Sequence, residues 1–168
     1  MSTPNPLVTQ LGYSPYSRLV LFHADDVGMC HGSNQAFLEL CAAGIVQTGS
    51  VMLPCPWSPE VLQACQQNSA LDIGVHLTLT SEWSTYRWSP LSTCEPASGL
   101  LDDAGYFWPR VNGLQARLQV TAAVLEMRTQ IERMRMAGVP FTHLDTHMGA
   151  ATIPELVEQY AALGFEYG

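Results

Sequence analysis

The chain of 168 residues carries a formal net charge of −8 at pH 7, and all seven of its basic residues are arginine. An acidic chain without a basic run argues against nucleic acid or an anionic membrane surface as a partner. The absence of lysine also excludes Schiff-base chemistry and a Walker-type phosphate loop. The length favours a single domain.

The five cysteines are scattered along the chain without a CxxC pair. An odd number of cysteines fits reduced thiols in the cytoplasm better than a disulfide framework. The sequence shows no secretory signal and no apolar run long enough to span a bilayer. We therefore expect a cytoplasmic protein.

The first part of the chain is predicted to hold an arm followed by strands and helices in alternation. Residues 1–16 are rich in proline and polar residues, which predicts an extended arm ahead of one domain at 17–168. The apolar run 18–22 is typical of a strand buried on both faces. The elements predicted next are a helix at 34–43 with Ser33 as N-cap, a strand at 50–53, a helix at 58–67 and a strand at 73–79.

A long irregular segment at 81–111 interrupts this alternation and contains three of the four tryptophans. Long loops inside compact domains are usually functional or disordered. The aromatic content favours a packed lid or a substrate wall, for which Trp83, Tyr86 and Trp88 are the candidates.

The second half of the chain continues the strand and helix pattern. A helix is predicted at 114–137, with an apolar stripe formed by every third or fourth residue from 124 to 134. A strand at 141–145 follows, and then a helix that begins near residue 154. Strict alternation of strands and helices predicts an α/β fold with a parallel sheet and right-handed crossovers.

Polar groups stand at the ends of three of these strands, in the segment 23–26, at His76 and in the segment 142–147. Successive side chains of a strand point to opposite faces, so His143, Asp145 and His147 share one face. Sites in parallel α/β folds form at the carboxyl ends of the strands. Imidazole and carboxylate groups are standard metal ligands, so these strand ends predict a metal site.

Each of these residues also has a structural interpretation. Asp25 and Asp26 can both enter one site only where the strand turns, which Gly28 permits, and they can instead cap the first helix. In a site, one of them would bind metal and the other would accept a proton from water. A single strand histidine such as His76 is more often a hydrogen-bonded core residue, and the segment 143–147 can form a solvated polar face.

The segments 23–28 (HADDVG), 74–78 (GVHLT) and 142–147 (THLDTH) resemble the three successive motifs of the YdjC-like carbohydrate deacetylases, also called the ChbG/HpnK family. Their order and rough spacing match, and so does the segment 49–54 (GSVMLP). The resemblance covers nearly the whole chain after the arm. It implies part of a TIM-barrel-like fold and the metal-dependent removal of acetyl from N-acetylated sugars such as chitooligosaccharides.

The resemblance also implies roles for individual residues by their position in the motifs. A divalent metal ion, magnesium or zinc, would be held by Asp26, His76 and His147, and Asp25 would be the catalytic base. Neighbours that orient these ligands would be His23, His143 and Asp145. A small carbohydrate would be the partner, with its rings stacked on Trp83, Tyr86 and Trp88.

The chain departs from the family pattern in two places. Many members have further histidines after the last motif, where this chain has Met148-Gly149-Ala150-Ala151. Members also continue into elements that complete the barrel, which four or five strands cannot close. Either the chain is a fragment, or a partner such as a second copy covers the open edge of the sheet. Two other functions stay open: an amidase or esterase with another substrate, and a non-catalytic truncated barrel module.

Overall fold

Four parallel strands lie at the centre of the fold in the computed structural model, which describes residues 3–168. The strands are β1 (His23–Val27), β2 (Thr48–Val51), β3 (Ile73–Leu77) and β4 (Leu144–Thr146). The helices are α1 (Pro6–Gln10), α2 (His31–Ala42), α3 (Ser58–Gln67), α4 (Val111–Gln115), α5 (Val120–Met136) and α6 (Val157–Tyr167). The strand order is β1-β2-β3-β4, and all three pairings are parallel. The α/β class and the parallel sheet predicted from the sequence are therefore confirmed.

The core contains apolar side chains of the strands and apolar side chains of the helices. Val51 and Val75 pair across β2 and β3, and both are fully buried. On α5 the predicted stripe is confirmed, since Met127, Ile131 and Met134 are also fully buried. Ser50 and His76, the neighbours of Val51 and Val75 along the strands, point to the opposite face of the sheet and are also buried.

The apolar run 18–22 does not form a strand, which corrects the sequence prediction. Its apolar side chains are 44–73% exposed. Strand pairing begins only at His23, which lies opposite Thr48 at the start of β2. Before that point the backbone of Phe22 is held by Gln47, whose side-chain oxygen accepts a hydrogen bond from the Phe22 N–H at 2.9 Å.

The helix predicted at 114–137 is two helices, α4 and α5. Between them the backbone of Arg117 passes Gly99, and a Cβ on Gly99 would lie 2.0 Å from the Arg117 carbonyl oxygen. Gly99 also has a φ of +73°, a conformation that favours glycine. Packing against the long loop therefore separates α4 from α5. Helical periodicity in the sequence does not predict such a contact.

Side chains set two further boundaries. Helix α2 begins three residues earlier than predicted, because Cys30 is the N-cap and forms a capping box with Ser33. Strand β3 ends at Leu77, because the side chain of Gln130 pairs with the backbone of Thr78 in place of a strand. Gln130 accepts from the Thr78 N–H at 2.9 Å and donates to the Thr78 carbonyl at 2.7 Å.

The arm predicted to be extended contains helix α1. Asn5 caps this helix by accepting a hydrogen bond from the Leu7 N–H at 3.0 Å, and Pro6 stands at its first position. Val8 is buried. Residues 1 and 2 of the arm lie outside the described residues.

The long loop at 81–111 packs on the domain, and α5 holds its middle. Glu126 of α5 is fully buried and accepts hydrogen bonds from the backbone N–H groups of Leu91 and Ser92, at 3.1 and 2.8 Å. Phe107 of the loop is also fully buried. A buried carboxylate that accepts two backbone donors therefore fixes the loop to the helix.

Glu126→Ala is expected to lower the free energy of unfolding by about 1–3 kcal/mol, because two backbone donors lose their partner. Urea unfolding followed by circular dichroism measures this change. The matched control is Glu39→Ala, since Glu39 is an exposed helical glutamate. Equal stability of the two variants would contradict the anchoring role of Glu126.

Strands β1 and β4 are the two edges of the sheet within residues 3–168. Beside β4 lies an apolar groove of about 460 Å³, lined among others by Phe141, Leu144 and Phe165. The described strands form an open sheet, so the barrel stays a prediction. No helix among the described residues combines the length and the apolar character needed to cross a membrane.

Candidate metal centre

Asp26 stands where β1 loses its regular pairing. The register of β1 against β2 shifts between Ala24 and Val27, and Asp26 has a φ of +55°. Residues other than glycine rarely adopt this left-handed conformation, and such strain is concentrated at functional sites. In this protein the strained backbone of Asp26 places its carboxylate between two histidines. Its Oδ1 lies 3.2 Å from His76 Nε2 and 2.9 Å from His147 Nδ1.

His76 is supplied by β3 and is held by a carboxylate of the neighbouring strand. It lies opposite Asp145 of β4 in the parallel register and is only 3% exposed. Its Nδ1 contacts Asp145 Oδ1 at 2.7 Å, and Ser50 donates to Asp145 Oδ2 at 2.7 Å. Because Nδ1 is held in this way, Nε2 is the nitrogen presented to Asp26.

His147 follows β4 at the start of a 3-10 turn, His147–Thr152, and is 4% exposed. The turn passes through two left-handed residues, Met148 with φ +52° and Gly149 with φ +68°. His147 Nδ1 faces Asp26, and its Nε2 contacts Glu82 Oε2 at 2.9 Å. Both nitrogens of this imidazole are therefore directed at carboxylates.

Ligand atoms of Asp26, His76 and His147 all lie within 4.8 Å of one another. Metal bonds to imidazole and carboxylate are about 2 Å long, so one ion fits between three donors at this separation. Two imidazoles and one carboxylate also leave coordination positions open for water or substrate, as in hydrolytic metal sites. The donor set thus fits a divalent cation.

The same contacts shift the pKa values of the three groups. Hydrogen bonds from His147 and His76 hold the pKa of Asp26 well below its ordinary value. Burial alone would lower the pKa of His76, but its hydrogen bonds with Asp145 and Asp26 raise it to about 9. His147 has a raised pKa for the same reason, through Asp26 and Glu82 against the effect of burial. Without an ion, the His76 imidazole is therefore protonated at neutral pH and lies against the Asp26 carboxylate.

Metal binding is expected to release protons at neutral pH, because His76 carries a proton on each nitrogen below its pKa of about 9. The apparent affinity for zinc should rise with pH and level off above about pH 9. Calorimetric titration in buffers of different ionisation enthalpy measures the released protons. If the affinity for zinc stayed the same between about pH 6 and pH 8, the predicted release of protons would be contradicted.

Asp25 is exposed in the middle of β1 and precedes Asp26 in the sequence. Neither Asp25 nor Asp26 caps α2, whose N-cap is Cys30, so the capping interpretation of the pair is wrong. Within residues 3–168 the Asp25 carboxylate has no hydrogen bond or ion pair with another side chain. Its assignment as the base stays a prediction.

The three residues predicted to orient the ligands form one connected group of side chains. His23 Nε2 lies 3.1 Å from His143 Nε2 and 3.7 Å from Asp145 Oδ2. The ring of His143 packs over Gly74, where a Cβ would meet its Nε2 at 2.4 Å. Burial lowers the pKa of His143. Asp145 contacts His76 directly, whereas His23 reaches His76 through Asp145 and His143 reaches it through His23.

The aromatic residues proposed as a substrate wall differ in exposure. Trp83 is 52% exposed, whereas Trp88 is only 2% exposed, and its indole N–H donates to the Thr80 carbonyl at 2.7 Å. The Trp88 ring is therefore not available for stacking, which corrects that prediction, and it packs beside His147 with ring centroids 6.0 Å apart. Tyr86 is half-buried, and its hydroxyl donates to a backbone carbonyl.

Two polar residues of the site were missed in the sequence analysis. Ser50 is fully buried on β2 and contacts both Asp145 and His76. The sequence pointed to Ser50 only through the segment 49–54, which resembles the family but suggested no role for this serine. Glu82 is the first acidic residue after His76, but it lies in a loop. Without a regular strand or helix period, the sequence did not predict that its side chain faces the site.

Comparison with known proteins gives relatives that are similar in sequence over most of this chain. A carbohydrate deacetylase of Thermus thermophilus is 37% identical over 150 residues, which are 89% of this chain and 51% of that protein. A carbohydrate deacetylase of Thermoanaerobacter pseudethanolicus is 27% identical over 150 residues, or 89% of this chain and 58% of that protein. The chain thus spans about half the length of the curated relatives it matches.

A solved structure shares the fold. The crystal structure of a candidate cellobiose-phosphate cleavage protein from Enterococcus faecalis V583 superposes with a TM-score of 0.78 and 26% identity. The match covers 88% of this chain and 55% of that one. The sequence model of the YdjC-like proteins matches residues 19–168, a range that includes all three polar motifs and every ligand of the centre. The chain therefore belongs to the YdjC-like protein family.

Proposed function

We propose that this protein is a metal-dependent hydrolase that removes the acetyl group from an N-acetylated sugar. The observation that carries the proposal is the convergence of Asp26, His76 and His147 at the carboxyl ends of the sheet. The names of the relatives, carbohydrate deacetylases, support the substrate class. Free thiols at all five cysteines support a cytoplasmic location.

Each residue of the centre has a separate task in this reaction. A divalent ion held by Asp26, His76 and His147 would polarise the acyl carbonyl and lower the pKa of water at the site. Asp25 accepts the proton of the attacking water, for which its exposed carboxylate is suited. Asp145 and Ser50 keep His76 fixed, so that its Nε2 does not rotate away during the reaction.

The donor set bears on the choice between zinc and magnesium. Two imidazoles and one carboxylate favour a transition metal, because magnesium prefers oxygen ligands. We therefore propose zinc as the first ion to test, with magnesium as the comparison.

The proposed activity is tested with the full-length protein, zinc and chitooligosaccharides, with release of acetate as the readout. Acetate release that depends on the added metal supports the proposal. Hydrolysis of other amides or of esters without acetate release from the sugar would replace it with the general amidase or esterase function. Metal binding without turnover of any N-acetyl substrate would leave only the non-catalytic module.

Trp83→Ala is expected to raise KM roughly 3- to 10-fold without changing metal affinity, because an exposed indole offers a face for a sugar ring. Steady-state kinetics and zinc titration measure the two effects. The matched control is Trp57→Ala, a tryptophan that is 41% exposed outside the loop. An equal loss of substrate and metal affinity in Trp83→Ala would mean that the loop acts only on the structure of the site.

A further inference from the structure

Each histidine of the metal centre has a carboxylate on the nitrogen that faces away from Asp26. For His76 this partner is Asp145, at 2.7 Å from Nδ1. For His147 it is Glu82, at 2.9 Å from Nε2. The first carboxylate comes from the sheet, whereas the second comes from the beginning of the long loop. Metal-binding histidines generally need such a partner to fix the ring and its tautomer.

The two partners select different nitrogens for the ion. Asp145 accepts the Nδ1 proton of His76, which leaves Nε2 facing Asp26 at 3.2 Å. Glu82 accepts the Nε2 proton of His147, which leaves Nδ1 facing Asp26 at 2.9 Å. Without Glu82, the tautomer of His147 that carries its proton on Nδ1 would no longer be disfavoured. That tautomer has no free electron pair on the nitrogen that faces the centre.

The base of the loop is built to hold Glu82 in place. Ser81 is fully buried, and its N–H donates to the Trp108 carbonyl at 3.0 Å. Its hydroxyl accepts from the Trp88 N–H at 3.1 Å, and the Trp88 indole donates to Thr80. The residues on the N-terminal side of Glu82 are thus fixed by three hydrogen bonds. His147 itself is buried, so the ring has little freedom once Glu82 holds its outer nitrogen.

We propose that Glu82 is a positioning residue that keeps His147 in the tautomer whose Nδ1 binds the metal ion. This inference rests on the metal centre of the proposed function, but it does not depend on the identity of the substrate. It also gives the loop a second task, because the segment that carries Trp83 supplies the partner of a metal ligand. Metal binding and the position of the loop are therefore coupled through one hydrogen bond.

The experiment is a calorimetric titration of the protein with zinc. Glu82→Ala is expected to weaken zinc binding roughly 10- to 100-fold, the range found for loss of such partners. Glu82→Gln should lose less, because its amide oxygen still accepts the Nε2 proton. The matched control is Glu95→Ala, which removes the same charge from an exposed position of the same loop and should bind zinc like the wild type. Thermal unfolding of the metal-free variants checks that all of them are folded.

A spectroscopic measurement separates positioning from a general structural effect. Nitrogen-15 NMR of the zinc-bound wild type should show His147 coordinated through Nδ1 and protonated at Nε2. Zinc-bound Glu82→Ala should show a mixture of His147 coordinated through Nδ1 and through Nε2, whereas His76 stays coordinated through Nε2. Wild-type zinc affinity in Glu82→Ala, or coordination of His147 through Nε2 in the wild type, would overturn the inference. Failure of the wild type to bind zinc or magnesium would instead contradict the proposed function.

Discussion

Asp26→Asn is expected to weaken metal binding by on the order of 10²–10³-fold. Two opposite unit charges at about 4 Å in an effective dielectric of about 20 interact by about 4 kcal/mol, and the substitution removes this attraction. The fold should survive, because asparagine tolerates the left-handed conformation that Asp26 adopts at φ +55°. Zinc titration measures the affinity, and acetate release should fall with it.

The control for Asp26→Asn is Asp103→Asn, which removes one negative charge from an exposed loop position. If only the net charge mattered, both variants would lose the same small amount of affinity. An unchanged zinc affinity in Asp26→Asn would remove Asp26 from the ligand set. Because its Oδ1 lies within 3.2 Å of nitrogens on both histidines, this outcome would also end the proposal for the whole centre.

Asp25→Asn is expected to keep metal affinity and to lose turnover by roughly 10²–10⁴-fold, the range for removal of a general base. Asparagine preserves the shape of the side chain but cannot accept a proton from water. Acetate release at saturating metal measures turnover, and zinc titration of the same sample shows that the centre is intact. The two variants should thus both lose turnover, but only Asp26→Asn should lose metal affinity.

Wild-type turnover in Asp25→Asn would remove the base assignment while leaving the metal centre untouched. A parallel loss of metal affinity in Asp25→Asn would instead place Asp25 among the ligands. The structure sharpens this comparison, because the alternative role of the pair as a helix cap is excluded by Cys30, which caps α2 itself. Neither substitution therefore changes the start of that helix.

The place of the candidate metal centre was predictable from the sequence because strands have a period of two and parallel sheets align their carboxyl ends. These two rules place His76 and His147 at one edge of the sheet. The family resemblance then implied Asp26, His76 and His147 as the ligands and Asp25 as the base. The structure brings Asp26, His76 and His147 together, as that selection implied.

The predictions that failed concern contacts that local sequence does not encode. An apolar run such as 18–22 becomes a strand only where a neighbour offers hydrogen bonds, and β2 begins opposite His23. Trp88 has an aromatic ring of the kind that stacks on sugars, but this ring is buried beside His147. Both errors arise because burial and pairing are decided by residues that are distant in sequence.

The sequence by itself determined the α/β alternation, the order of the three motifs and the side chains able to bind a metal ion. These follow from periodicity and residue chemistry, which act over a few neighbouring residues. Only the tertiary structure decided that Ser50 supports Asp145 and that Glu82 reaches His147 from the long loop. The physical reason is that a hydrogen bond depends on a distance of about 3 Å between atoms, and folding alone sets that distance for residues 65 or 95 positions apart.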